Sequence, residues 1–155
     1  MKIRDAVQPA LVFLDLEARD AQDAMTAVAR EISSAAKLDA ALVGEALIER
    51  EKLGSTSVGG GFAIPHCKLP NLEEIVVALG RFNDGVDFSE SNNHDPVRFF
   101  FVVLSPPDHP AEHLRVLSQI ARILKNEGLR NELMESTQPI SAVEAIQRAA
   151  EQEGL

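Results

Sequence analysis

His66, Arg50 and His113 are the side chains of this sequence whose types and settings suit group-transfer chemistry. His66 lies in Ile64-Pro65-His66-Cys67-Lys68, after a glycine-rich stretch and directly after a rigid proline. A histidine there is presented by backbone geometry. A neutral imidazole is nucleophilic and titrates near neutrality, at about 6.5 for the free group, so it can accept a group at neutral pH. Arg50 follows Leu42, Val43, Ala46 and Leu47 at helical spacing, at the margin of an apolar face. A guanidinium neutralises phosphate charge through a bidentate fork. His113 shares a stripe with Leu117, Ile120 and Leu124 in the first turns of a helix, where free N–H groups and the dipole favour an anion. Singly, each has a plainer reading: a surface histidine at a strand end, an arginine serving its own helix terminus, and a satisfied histidine at the edge of a core.

Two other chemistries compete for the same residues. A metal site would draw on His66, Cys67 and His113 with His94 or His109. His109 and His113 have the i, i+4 spacing of a helical clip, but Pro110 stands between them and places His109 at or before the helix start. No metal and no cofactor are therefore expected. A thiol nucleophile at Cys67 paired with His113 has no local signature around it. Lys68 beside the thiol would lower its pKa if the two shared a surface, but a small residue filling a gap is the favoured reading.

The elements that must hold these residues are legible from hydrophobic period. Leu11–Leu16, Ile75–Phe82 and Val97–Leu104 read as strands, with the short piece Phe62-Ala63-Ile64 extended before Pro65. Asn83-Asp84-Gly85 reads as a turn. Met25, Val28, Ile32 and Ala36 mark a first helix capped by Asp20 or Asp23. A second is capped by Asp39 and stopped by Gly54, with Leu42, Val43, Ala46 and Leu47 inward. Helices are also expected from Pro110 to about Asn126, from Leu129 to Ser136, and from Ser141 to Gln152. The last opens on a capping-box pattern, Ser141-Ala142-Val143-Glu144. Residues 54–61 end in three consecutive glycines and read as irregular loop. Alternating strands and helices predict one α/β domain over residues 1–155, with a mixed, mainly parallel sheet of about five strands flanked by helices. Strand order does not follow from the pattern.

Composition bounds the rest. The chain has 155 residues, 45% of them hydrophobic and 25% charged, close to an ordinary globular domain. The lone Cys67 excludes an intramolecular disulfide. Fifteen basic residues against twenty-four acidic ones leave a charge of −9, with the basic residues spread along the chain, so nucleic-acid binding is not expected. No run approaches the roughly 18–20 apolar residues of a membrane span. The charged N-terminus lacks the apolar centre of a signal peptide, and a cytoplasmic protein with no membrane insertion is expected.

Taken together, the segments resemble the fructose/mannitol-type (type 2) EIIA domain of the bacterial phosphotransferase system. Arg50 lies 16 residues before His66 and His113 lies 47 after it, which suits that family. Arg50-Glu51-Lys52-Leu53-Gly54-Ser55-Thr56, followed by Gly-Phe-Ala-Ile-Pro-His, is most similar to its nitrogen-regulatory branch (EIIA-Ntr). The resemblance implies a phosphohistidine intermediate at His66, bordered by Arg50 and His113. It also implies attack by the ring nitrogen distal to the backbone. Arg50, loop N–H groups and a hydroxyl of Ser55 or Thr56 are expected to receive the phosphoryl oxygens, with His113 donating to the same group. The implied donor is a phosphorylated HPr-like carrier of the nitrogen branch (NPr), and the implied readers are regulatory targets such as potassium transporters or sensor kinases. A 155-residue chain without a fused membrane or carrier domain leans toward regulation. A sugar-specific transport EIIA is the alternative. One position departs from the pattern: the family usually has glycine after the histidine, and Cys67 stands there.

Overall fold

The computed structural model describes residues 1–88 and 96–155. Its elements are α1 (Ile3–Ala6), β1 (Val7–Leu16), α2 (Ala21–Ala36), α3 (Ala40–Lys52), β2 (Ser57–Gly59), β3 (Phe62–Ala63), β4 (His66–Lys68), β5 (Val76–Val86), β6 (Val97–Ser105), α4 (Pro110–Ile123), α5 (Leu129–Glu135) and α6 (Pro139–Gln152). The sheet runs β1-β5-β6-β3-β2, with β4 also paired to β6. The β1/β5, β3/β6 and β4/β6 pairings are parallel, while β5/β6 and β2/β3 are antiparallel. This is the expected mixed sheet, with six strands instead of about five. Two apolar layers cover it. One joins the sheet to α1, α4, α5 and α6, the other to α2 and α3.

Several local expectations change. Residues 54–61 are not all irregular: β2 and β3 form a hairpin whose two-residue turn is Gly60-Gly61. Both glycines have positive φ, 66° and 85°, which is the geometry a tight hairpin turn of matching twist demands. Asn83-Asp84-Gly85 is no turn either, because β5 runs through it with a register shift and Gly85 at φ 79°. β1 begins four residues early and carries Pro9, which is tolerated because the strand is at a sheet edge. Pro139 starts α6 ahead of Ser141, so Gln138 is the cap residue and the capping box is not formed. On α3 the inward residues are Val43, Gly44 and Leu47, while Leu42 is 60% exposed. Gly44 faces Ala29 of α2 on that side. Asp20, not Asp23, caps α2, accepting from the Asp23 N–H at 2.8 Å, and Asp39 caps α3 as expected.

Candidate functional site

His66 owes its position to one interrupted strand. The pairs Phe62↔Phe99 and Ala63↔Phe100 in β3, and His66↔Val103, Cys67↔Leu104 and Lys68↔Ser105 in β4, continue a single parallel register along β6. Pro65 marks the break. Its carbonyl accepts from the Val103 N–H at 3.0 Å, but it has no N–H of its own to complete the ladder. Side chains alternate along a strand, so Ala63, Cys67 and Leu69 enter the layer under α2 and α3. Phe62 and Ile64 enter the opposite layer, and His66 and Lys68 follow on that side, toward α4.

That alternation separates Cys67 from both histidines. The thiol is buried among apolar side chains, and desolvation pushes its pKa up to about 12. Lys68, on the opposite face, does not activate it. A Cys67–His113 nucleophilic pair is therefore excluded by geometry, and a shared metal site for His66, Cys67 and His113 fails for the same reason. His94 lies outside the described residues. His109 precedes α4 and stands within 3.8–3.9 Å of the Asp108 and Glu112 carboxylates. Among the described residues no cluster of three or more potential ligands forms.

His113 does reach His66. The two rings are 5.6 Å apart between centroids and inclined at 53°. The His66 ring is half-buried, and its Nδ1 stands 2.7 Å from the Ile64 carbonyl. A carbonyl oxygen only accepts, so in the neutral ring the proton sits on Nδ1 and the lone pair is on Nε2. His113 is buried beneath it in the first turn of α4, with Nδ1 hydrogen-bonded to the Ser105 hydroxyl. Burial, then the positive charges of His66 and Lys68, hold the His113 pKa below its ordinary value.

Arg50 ends α3, where its Nη1 donates to the Gly54 carbonyl at 3.1 Å. This is the helix-terminus role of its plainer reading, and among the described residues its other guanidinium N–H groups have no hydrogen-bond partner. Thr56 is committed elsewhere. Its N–H and hydroxyl both donate to the Glu51 carboxylate, at 2.9 and 2.7 Å, and its carbonyl accepts from the Ile64 N–H at 3.0 Å. The Ser55 hydroxyl accepts from the Ser57 N–H at 3.1 Å, and Ser55 lines a cleft with Asp20, Glu51, Lys52 and Asp87. Among the described residues neither Arg50, Ser55 nor Thr56 hydrogen-bonds to either imidazole.

Three residues take roles here that the sequence does not assign them. Lys68, two positions along the strand from His66, shares its face. Glu51 holds Thr56. Ser105 becomes relevant only once β6 is registered against β4.

Comparison with known proteins identifies the family. The family model described as "Phosphoenolpyruvate-dependent sugar phosphotransferase system, EIIA 2" matches residues 6–149. A nitrogen regulatory protein of Bradyrhizobium diazoefficiens is 37% identical over 136 residues, 88% of each chain. The fructose-specific EIIABC component of Bacillus subtilis is 29% identical over 147 residues, covering 94% of this chain and 23% of that one. Among solved structures, nitrogen regulatory protein IIA-Ntr of Neisseria meningitidis superposes with a TM-score of 0.84 at 28% identity, covering 93% of this chain and 98% of that one. Mannitol IIA of Escherichia coli, at 21% identity and TM-score 0.71, covering 90% and 97%, shares the fold. A chain that fits this model over nearly its whole length, on this sheet and with these paired histidines, belongs to the phosphotransferase-system EIIA type-2 family.

Proposed function

We propose that this protein is a nitrogen-branch EIIA that accepts a phosphoryl group on Nε2 of His66 and signals its phosphorylation state to partner proteins. The observation that carries this reading is the Nδ1 contact of His66 to the Ile64 carbonyl, which frees Nε2 to attack. The donor is a phosphorylated HPr-like carrier (NPr) bearing its phosphoryl group on histidine. A bond forms between phosphorus and His66 Nε2 as the carrier's N–P bond breaks, and that electron pair returns to the carrier's ring nitrogen. The ring proton stays on His66 Nδ1, donated to the Ile64 carbonyl. No metal or nucleotide enters the step, because the transferred group is already activated.

Phosphoryl transfer asks for positioning and charge neutralisation above all. His113, neutral because it is buried, donates to a phosphoryl oxygen. Arg50, with one of its five N–H donors spent on Gly54, supplies the fork to the others. The Thr56 hydroxyl proton is taken by Glu51, and the Ser55 hydroxyl is engaged by the Ser57 N–H. Neither has a place among the phosphoryl ligands in this reading. Regulatory targets such as potassium transporters or sensor kinases would read the added charge of about −1.5 to −2.

Incubation with phosphorylated carrier, followed by mapping of acid-labile label, tests the proposal. Wild type should label on His66 and His66→Ala should take up none; an acid-labile label retained by His66→Ala overturns it. Arg50→Ala and His113→Ala should fold and transfer about 100-fold more slowly. The likeness to a fructose-specific component keeps a sugar-transport role as the second reading. Preference for ordinary HPr over the nitrogen-branch carrier would favour it.

A further inference from the structure

We infer that Ser105 is a positioning residue that locks His113 in the one neutral tautomer able to donate toward His66, an inference resting on the reading of His66 as phosphoacceptor. Ser105 ends β6 and is fully buried. It pairs in register with Lys68, and strand alternation turns its side chain to the face shared by His66 and Lys68. There its hydroxyl meets Nδ1 of His113, and among the described residues it has no other hydrogen-bond partner.

The direction of that hydrogen bond follows from what each group can offer. A hydroxyl carries one proton and two acceptor sites. Were the ring proton on Nδ1, the hydroxyl would accept it, and its own O–H would stand in a dry site with no acceptor. Such stranded donors are rare in folded proteins because desolvation is not repaid. With the hydroxyl donating to the Nδ1 lone pair, both groups are satisfied and the ring proton is placed on Nε2.

The two imidazoles are thereby fixed in opposite tautomers. The Ile64 carbonyl holds the His66 proton on Nδ1 and bares Nε2, while the Ser105 hydroxyl donates to the Nδ1 lone pair of His113 and places its proton on Nε2. One ring offers a lone pair and the other an N–H, 5.6 Å apart between centroids. A phosphoryl group arriving on the first meets a donor whose proton is already in place.

Long-range 1H–15N correlation of the imidazoles at pH 8, combined with transfer kinetics, tests this. Wild-type His113 should show a protonated Nε2 and an unprotonated Nδ1. In Ser105→Ala its tautomers should mix and transfer should slow about tenfold, with the His66 pattern unchanged. Ser105→Thr, which keeps the hydroxyl, should restore both readouts. A wild-type His113 with its proton on Nδ1 overturns the inference, even if Ser105→Ala does not fold. So does a Ser105→Ala protein with wild-type tautomer and rate. Failure of wild type to label His66 would instead sink the phosphoacceptor reading and leave the tautomer result standing.

Discussion

At His113 three effects push the same way, since burial and the neighbouring charges of His66 and Lys68 all disfavour protonation. The consequence for stability has a definite sign. Above about pH 6.5 this ring is neutral folded and unfolded, and its contribution is complete. As pH falls below that value the unfolded chain binds a proton that the native state refuses. The contribution is lost until the pH passes below the depressed folded value. Denaturant titrations of wild type and His113→Gln at a series of pH values should diverge in that window, wild type losing more stability on acidification. Cys67 makes a different case. Its thiol is buried and pushed up to about 12, so native protein should resist iodoacetamide at pH 8 and react once unfolded. Cys67→Gly should lower stability by about 1–2 kcal/mol, because glycine frees the strand backbone and leaves a small gap.

At the level of elements, His66 hangs from a relay of hydrogen bonds that starts on α3. The Glu51 carboxylate grips Thr56 twice, the Thr56 carbonyl receives the Ile64 N–H, and the Ile64 carbonyl receives His66 Nδ1. Glu51→Ala leaves two part-buried donors of Thr56 unpaired and should cost about 2 kcal/mol; Thr56→Val removes one bond and should cost about 1. Hydrogen exchange gives a sharper check, since the amides of Thr56 and Ile64 should lose protection in Glu51→Ala while those of β5 and β6 keep theirs. Thr56 is a phosphate-ligand candidate by its type, whereas the Glu51 carboxylate would repel an anion; here the two bond each other and hold the loop. A hydroxyl and a carboxylate five residues apart do not reveal whether they face a ligand or each other.

Across the whole molecule, Arg81 ties the sheet to its helical cover. Buried in β5, it donates through Nε to the Leu14 carbonyl at 3.0 Å. Through Nη1 it donates to the carbonyls of Leu133 and Ser136 at 2.7 Å and of Met134 at 3.4 Å. It therefore satisfies the C-terminal carbonyls of α5 from the far side of the core. Arg81→Met should destabilise the fold by about 3 kcal/mol, read as a lowered midpoint in thermal or urea unfolding, because several carbonyls are left dry and unpaired. Arg81→Lys should recover only part of the loss, since one ammonium cannot reproduce the fork. Among the described residues no helix is long and apolar enough to cross a membrane.

The sequence by itself determined the local vocabulary: the apolar periods of α2, α4, β5 and β6, the cap at Asp39, and the three-part motif that carried the family. Such features depend on neighbours within a turn or two of chain, and that is the range over which pattern and backbone preference act. Tertiary structure decided what depends on register between distant segments. It set His66 at the start of β4, in register with β3 across the break at Pro65, and gave Gly60-Gly61 a hairpin turn. It also turned Cys67 away from the histidine beside it. It brought Ser105 under His113 and Lys68 onto their face. Strand pairing has a period of two, so a one-residue slip would send each of those side chains to the opposite layer. Only the packed sheet, with both faces covered, fixes which register holds.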